Sequence, residues 1–133
     1  MGDATEALIA AATKVRGNAY APYSGLSLGA AILAEDGRIY AGANVENASY
    51  PEGLCAEAAA IAAMIAGGGR RIAALAVVSG GAAPAPPCGG CRQRIAEFAG
   101  AATPIHLATE AGARRRLTLG ELLPFAFGPV HLP

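Results

Sequence analysis

The chain has 133 residues, of which 10 are Lys or Arg and 10 are Asp or Glu, so its formal net charge is zero. This balance argues against nucleic acid as a partner, because binding to a phosphate backbone relies on an excess of basic side chains. A hydrophobic content of 53% with only 15% charged residues excludes intrinsic disorder. At this length we expect a single domain over residues 1–133.

The sequence predicts neither export from the cell nor insertion into a membrane. The first of these expectations concerns the N-terminal segment. It lacks the basic segment followed by an apolar run that a secretory signal would have. The longest strongly apolar stretch, residues 56–66, contains Glu57 and is shorter than the roughly 20 residues that span a bilayer. We therefore expect a cytoplasmic protein without a membrane partner.

The first half of the chain predicts a helix, a β-hairpin and a second helix. Apolar residues at helical spacing run from Asp3 or Thr5 to about Gly17. Two apolar segments, 28–33 and 38–45, flank an Asp-Gly turn, which is typical of a hairpin. After a polar, irregular stretch, an Ala-rich run starts at Cys55 and ends in three glycines, as a helix with a left-handed C-terminus does.

The second half predicts a buried strand, a helix, two more strands and a last helical turn. The apolar run 72–79 is bounded by turn signals and fits a strand that is covered on both faces. A helix is expected over 88–100, strands over 104–109 and 115–119, and a helical turn over 119–124. This order predicts an α/β fold, a three-layer α/β/α sandwich with a mixed sheet of about five strands.

The three cysteines, Cys55, Cys88 and Cys91, indicate metal or redox chemistry. An odd number leaves one thiol over in any disulfide scheme, and a chain without an export signal meets a reducing compartment. Cys55 and the C-G-G-C motif both lie at predicted helix starts, where free N–H groups and the helix dipole lower thiol pKa values. Three thiolates on one zinc ion leave the fourth tetrahedral position open, as in catalytic zinc sites.

Glu57 is the candidate catalytic acid and base. It lies two residues after Cys55 in the same first turn, where it can reach a water at the metal without being a ligand. A carboxylate there can accept a proton and pass it on. Taken alone, an acid at a helix N-terminus is explained by the helix dipole, and the downstream cysteine pair favours the catalytic interpretation.

Five motifs resemble those of the zinc-dependent cytidine deaminases of the small homotetrameric type. They are A-P-Y-S at 21–24, N-V-E-N-A-S-Y at 44–50, C-A-E at 55–57, P-C-G-G-C-R-Q at 87–93 and E-L-L-P at 121–124. The resemblance implies hydrolysis of cytidine and deoxycytidine to uridine and deoxyuridine with release of ammonia, in pyrimidine salvage. It also implies one Zn²⁺ per chain on the three cysteines, with Glu57 as the proton carrier.

The resemblance further implies how a nucleoside substrate is bound. Asn44 and Glu46 match residues that bind ribose hydroxyls, and the backbone of Ala56 matches the group that holds the cytosine edge. Leu26 stands against the sugar, where relatives usually have Phe. Tyr50 and Phe127 match positions that reach the ligand from neighbouring subunits of a homotetramer.

Two departures from the family pattern concern the metal and the base. Ala58 occupies the place of an Arg that offsets the negative charge of the thiolates, and Arg92, directly after Cys91, is a candidate substitute. Pro86 replaces a Ser, although its backbone carbonyl remains available to the amino group of the base.

Three alternative functions are compatible with parts of the sequence. A deaminase of the same fold could act on another nucleoside-like aminopyrimidine compound, or on a free base, although a free base offers nothing for Asn44 and Glu46 to bind. A dithiol redox protein would use Cys88 and Cys91, but this leaves Cys55 and Glu57 unexplained. A structural zinc module would need a fourth protein ligand.

Overall fold

A computed structural model describes residues 3–133, in which five strands form one mixed sheet. The strands are β1 (Gly29–Ala34), β2 (Ile39–Ala43), β3 (Ile72–Ser79), β4 (Pro104–Thr109) and β5 (Arg114–Thr118). Their order is β2-β1-β3-β4-β5. β3 and β4 are parallel, and the other neighbouring strands are antiparallel. The predicted mixed sheet is confirmed.

Helices cover both faces of the sheet. They are α1 (Thr5–Arg16), α2 (Ala56–Ala66), α3 (Gly89–Phe98) and α4 (Leu119–Leu122). Successive residues of a strand point to opposite faces, so Ala30 and Ile32 of β1 join the core beneath α2 and α3, while Ala31 joins the core beneath α1. The three-layer α/β/α arrangement is therefore confirmed. Within residues 3–133, no helix combines the length and apolar character needed to cross a membrane.

Gly42 allows α2 to lie very close to β2. A Cβ atom built at this position would be 2.3 Å from the backbone nitrogen of Ala60 and 2.6 Å from the carbonyl carbon of Ala59. No side chain fits in that space, so the absence of a Cβ fixes how near α2 approaches the sheet. Because α2 begins directly after Cys55, this contact also helps to fix the position of that cysteine.

The end of β5 differs slightly from the sequence prediction. The strand stops at Thr118 rather than at residue 119, because Thr118 is the N-cap of α4. Its hydroxyl accepts a hydrogen bond from the Glu121 backbone N–H at 3.2 Å, and the Glu121 carboxylate accepts one from the Thr118 N–H at 2.9 Å. This capping box explains the glutamate of the E-L-L-P motif in structural terms.

Candidate metal centre and substrate cleft

The three cysteines converge at the beginnings of two helices. Cys55 is the N-cap of α2, Cys88 is the N-cap of α3, and Cys91 lies in the first turn of α3. Their sulfur atoms all lie within 4.8 Å of one another, and those of Cys55 and Cys88 are 3.9 Å apart. Zinc–sulfur bonds of about 2.3 Å in a tetrahedron separate the sulfurs by roughly 3.8 Å, so the cluster fits one zinc ion.

The thiol pKa values only partly follow the prediction made from the helix dipole. The pKa of Cys88 is lowered, chiefly because the backbone N–H of Cys91 donates to its sulfur. Burial raises the pKa values of Cys55 and Cys91, which is opposite to the direction expected from the helix dipole alone. Desolvation outweighs the partial charge of a helix end, and a bound cation reverses this balance because a coordinating thiol loses its proton.

Glu57 lies beside the cysteine cluster in a nearly dry position. Its side chain borders the same cleft as Cys55 and Cys88, and the residue is only 4% exposed. Burial raises the pKa of its carboxyl group, while its own backbone N–H and the guanidinium of Arg94 act in the opposite direction. A raised carboxyl pKa suits a group that takes up and returns a proton near neutral pH.

A cleft of about 380 Å³ leads away from the cysteine cluster. The polar segment after β2 forms part of its lining, and the bridge between Val45 and Leu54 holds this segment alongside the chain just before Cys55. The cleft therefore unites residues that are distant in sequence. Those of its lining residues that the sequence analysis singled out are Leu26, Asn44, Glu46, Tyr50, Cys55, Glu57, Pro86 and Cys88.

Asn44 has a structural role that the sequence did not predict. Its Oδ1 accepts from the backbone N–H of Leu28 and its Nδ2 donates to the carbonyl of Leu26, both at 2.8 Å. The residue is only 7% exposed. The carboxamide thus holds the chain that forms one side of the cleft, and it retains a second lone pair and a second N–H for a ligand.

Glu46 connects two of the motifs found in the sequence. Its carboxylate accepts hydrogen bonds from the backbone N–H groups of Tyr23 and Ser24, at 2.9 and 3.1 Å, and from the Ser24 hydroxyl. These bonds, with that from the Ser24 hydroxyl as the largest cause, lower the pKa of Glu46. A carboxylate offers about four acceptor positions, so roughly one remains for a ligand.

The remaining predicted binding residues differ in their relation to the cleft. Leu26 and Tyr50 are exposed and border the cleft of their own chain. Ala56 is fully buried at the first position of α2, between the metal ligand and the candidate acid. Phe127 is not among the residues that border the cleft, and its ring stacks on His131 with a centroid distance of 5.3 Å. The contacts of these four residues with a ligand remain predictions.

The arginine nearest to the cysteines in sequence does not face them. Arg92 donates from Nε to the carbonyl of Pro87 at 2.7 Å and from Nη1 to the carbonyl of Leu122 at 2.8 Å. Arg94 instead directs Nη1 at the sulfur of Cys91, at 3.6 Å. This contact was not predicted from the sequence, although a spacing of three places Cys91 and Arg94 on one helix face.

Residues 3–107 match the family model described as the cytidine and deoxycytidylate deaminase zinc-binding region. The chain belongs to this deaminase family. The family assignment agrees with the resemblance seen in the sequence motifs, and the cysteine cluster lies within the matched residues. Zinc is accordingly the metal assigned to the site, at one ion per chain.

Curated relatives and solved structures agree with the assignment to the deaminase family. A cytidine deaminase from Sporosarcina psychrophila is 47% identical over 127 residues, which cover 96% of this chain and 93% of the relative. The crystal structure of cytidine deaminase from Burkholderia pseudomallei has a TM-score of 0.87 at 44% identity and covers 92% of this chain and 98% of that one. The crystal structure of cytidine deaminase from Mycobacterium tuberculosis has a TM-score of 0.82 at 42% identity and covers 96% of this chain and 99% of that one.

Proposed function

We propose that this member of the deaminase family catalyses the zinc-dependent hydrolytic deamination of cytidine and deoxycytidine. The products are uridine and deoxyuridine, and ammonia is released. The observation that carries the proposal is a single cleft whose lining includes Cys55, Cys88 and Glu57 together with Asn44 and Glu46. Such a cleft matches a nucleoside, which has a reactive base at one end and a polar sugar at the other.

Glu57 is proposed to move the protons of the reaction. Zinc, when bound by the three cysteines, supplies Lewis-acid activation of the attacking water. Glu57 takes a proton from that water and delivers it to N3 of the base as the C4–O bond forms. It then transfers the second proton to the amino group, so that the C4–N bond breaks and ammonia leaves. Its burial raises the pKa of the carboxyl group, which suits a group that both accepts and returns a proton.

Other residues at the cleft are proposed to bind the sugar and orient the base. The spare N–H and lone pair of Asn44 and the free acceptor position of Glu46 suit hydroxyl groups, which both donate and accept. Leu26 offers an apolar surface to the ring of the sugar. The carbonyl of Pro86 accepts from the amino group of the base, and the backbone of Ala56 holds the edge of the cytosine ring.

The active form is proposed to be a homotetramer, with Tyr50 and Phe127 reaching ligands across subunits. Support comes from the exposed large apolar side chains near the C-terminus, which include Phe125, Phe127, Val130 and Leu132. Clustered exposed apolar residues of this kind mark interaction surfaces.

The continuity of the sheet supports the proposal of a single domain over the chain. We also propose a cytoplasmic role in pyrimidine salvage, on the basis of the proposed reaction.

A substrate panel tests the proposed reaction. Purified zinc-loaded protein is incubated with cytidine, deoxycytidine and cytosine, and the loss of absorbance and the ammonia released are measured. We expect both nucleosides to be converted with one ammonia per product, and cytosine to be a poor substrate because it offers no hydroxyls to Asn44 and Glu46. Conversion of cytosine but of neither nucleoside would contradict the substrate assignment.

A further inference from the structure

The cysteine cluster has a charge that its own ligands do not balance. Three thiolates and one Zn²⁺ sum to one negative charge, and the carboxylate of Glu57 adds to it. Cys91 is fully buried and Glu57 nearly so, whereas Cys55 is half-buried and Cys88 exposed, so water stabilises only part of this charge. Residue 58, the next residue of α2 after Glu57, is a neutral alanine. A buried, uncompensated charge is costly, so a nearby cation would stabilise the loaded cluster beyond what the two helix N-termini supply.

Arg94 has the geometry of that cation. Its Nη1 lies 3.6 Å from the sulfur of Cys91, three residues earlier on α3. Helical side chains tilt towards the N-terminus, which is where the cysteines lie. A Cβ atom at Gly90 would be 3.4 Å from the same Nη1, so the guanidinium lies next to the second glycine of the C-G-G-C motif.

Arg94 contacts the sulfur of Cys91 although a carboxylate, that of Glu97, lies on the same helix and although the helix dipole disfavours a cation there. Glu97 lies one turn after Arg94 and borders the same surface depression. Among residues 3–133, however, no carboxylate lies within ion-pair distance of Arg94. A cation directed at a helix N-terminus is also unfavourable with respect to the dipole. Thiolates at that end, as in a zinc-loaded cluster, would offset this unfavourable interaction.

Arg94 and Ala58 face the same space from two helices. Both border a surface depression of about 430 Å³ between α2 and α3, in which Ala58 is half-buried. We propose that Arg94 is a positioning residue that balances the charge of the zinc–thiolate cluster from α3, in place of a cation at residue 58 of α2. This inference rests on the proposed function in one respect, namely that the cysteine cluster holds zinc.

Zinc retention measures this role independently of turnover. The zinc-loaded full-length chain is titrated with a chromogenic chelator, and zinc affinity and release rate are compared between wild type and Arg94→Gln. Residues that contact the metal ligands without binding the metal typically contribute about 10- to 100-fold to metal affinity. We therefore expect the zinc affinity of Arg94→Gln to be lower by about 10-fold or more. Arg115→Gln, on the exposed edge strand β5, is the matched control and should stay within about twofold of wild type.

Relocating the charge separates electrostatics from a purely structural effect. The double variant Arg94→Gln/Ala58→Arg should recover most of the zinc affinity, and Arg94→Lys should retain more of it than Arg94→Gln. Unchanged zinc affinity in Arg94→Gln overturns the inference, as does a loss that neither Arg94→Lys nor the added Ala58→Arg reduces. A wild-type protein that binds no zinc contradicts the proposed function as well, whereas equal retention in wild type and Arg94→Gln rejects only the role of Arg94.

Discussion

Replacing Asn44 by Asp should destabilise the protein because a carboxylate can replace the Oδ1 acceptor of the carboxamide but not its Nδ2 donor. An aspartate keeps the acceptor for the Leu28 N–H, but it places an oxygen against the carbonyl of Leu26, where Nδ2 now donates at 2.8 Å. A buried acceptor left without its donor costs about 1–3 kcal/mol, and Asn44 is only 7% exposed. With the added repulsion between the two oxygens, we expect the free energy of unfolding to fall by about 2–4 kcal/mol.

Asn47→Asp is the matched control for this change. Asn47 is exposed and uses only its Oδ1, which accepts from the Ser49 N–H at 2.9 Å, and an aspartate does the same. We expect a change within about 0.5 kcal/mol there. Urea unfolding at one fixed chain concentration measures both variants. KM for cytidine should also rise in Asn44→Asp, since Leu26 and Leu28 border the cleft. Equal stability of the two variants would refute the bonding described for Asn44.

Three further predictions concern the frame of the site and the assembly. Arg92→Ala should lower the free energy of unfolding by about 1–2 kcal/mol, as two bonds to backbone carbonyls are lost, while zinc content stays at the wild-type level. Urea unfolding measures the stability and elemental analysis the zinc content, with Arg115→Ala as the control. An Arg92→Ala protein as stable as wild type would contradict this prediction. Gly42→Ala should cost at least about 1–3 kcal/mol by overpacking α2 against β2, whereas Gly81→Ala, with its nearest atom at 3.8 Å, should be tolerated in the same unfolding experiment. Light scattering should give the mass of four chains, and a fully active monomer would contradict the tetramer.

The metal ligands could be predicted from the sequence because their positions depend on local structure. Cys55 and Cys88 precede helical segments, and the N-cap position follows from the residues beside it. Glu57 and Cys91 then fall within the first turns of the same helices. The hairpin and the buried strand β3 were predictable for a similar reason, as turn residues and apolar runs mark them directly.

The contacts between distant segments could not be predicted in this way. Asn44 bonds to backbone groups 16 and 18 residues away, and nothing in its surrounding sequence indicates those partners. The raised pKa of Cys91 depends on its complete burial, which is a property of the folded chain. Arg94 is a different case, because a spacing of three on a helix predicts contact with Cys91, whereas adjacent residues such as Arg92 point in different directions.

The central claim is that Glu57 carries the proton in a zinc-dependent deamination at this cleft. Measuring zinc content and cytidine turnover on the same preparations of wild type and Glu57→Gln tests it most directly. The amide keeps the shape of the side chain but cannot carry the proton, so we predict one zinc per chain in both proteins and a kcat lower by about 10²- to 10⁴-fold in the variant. A zinc-loaded Glu57→Gln protein with more than about a tenth of the wild-type kcat would contradict the account.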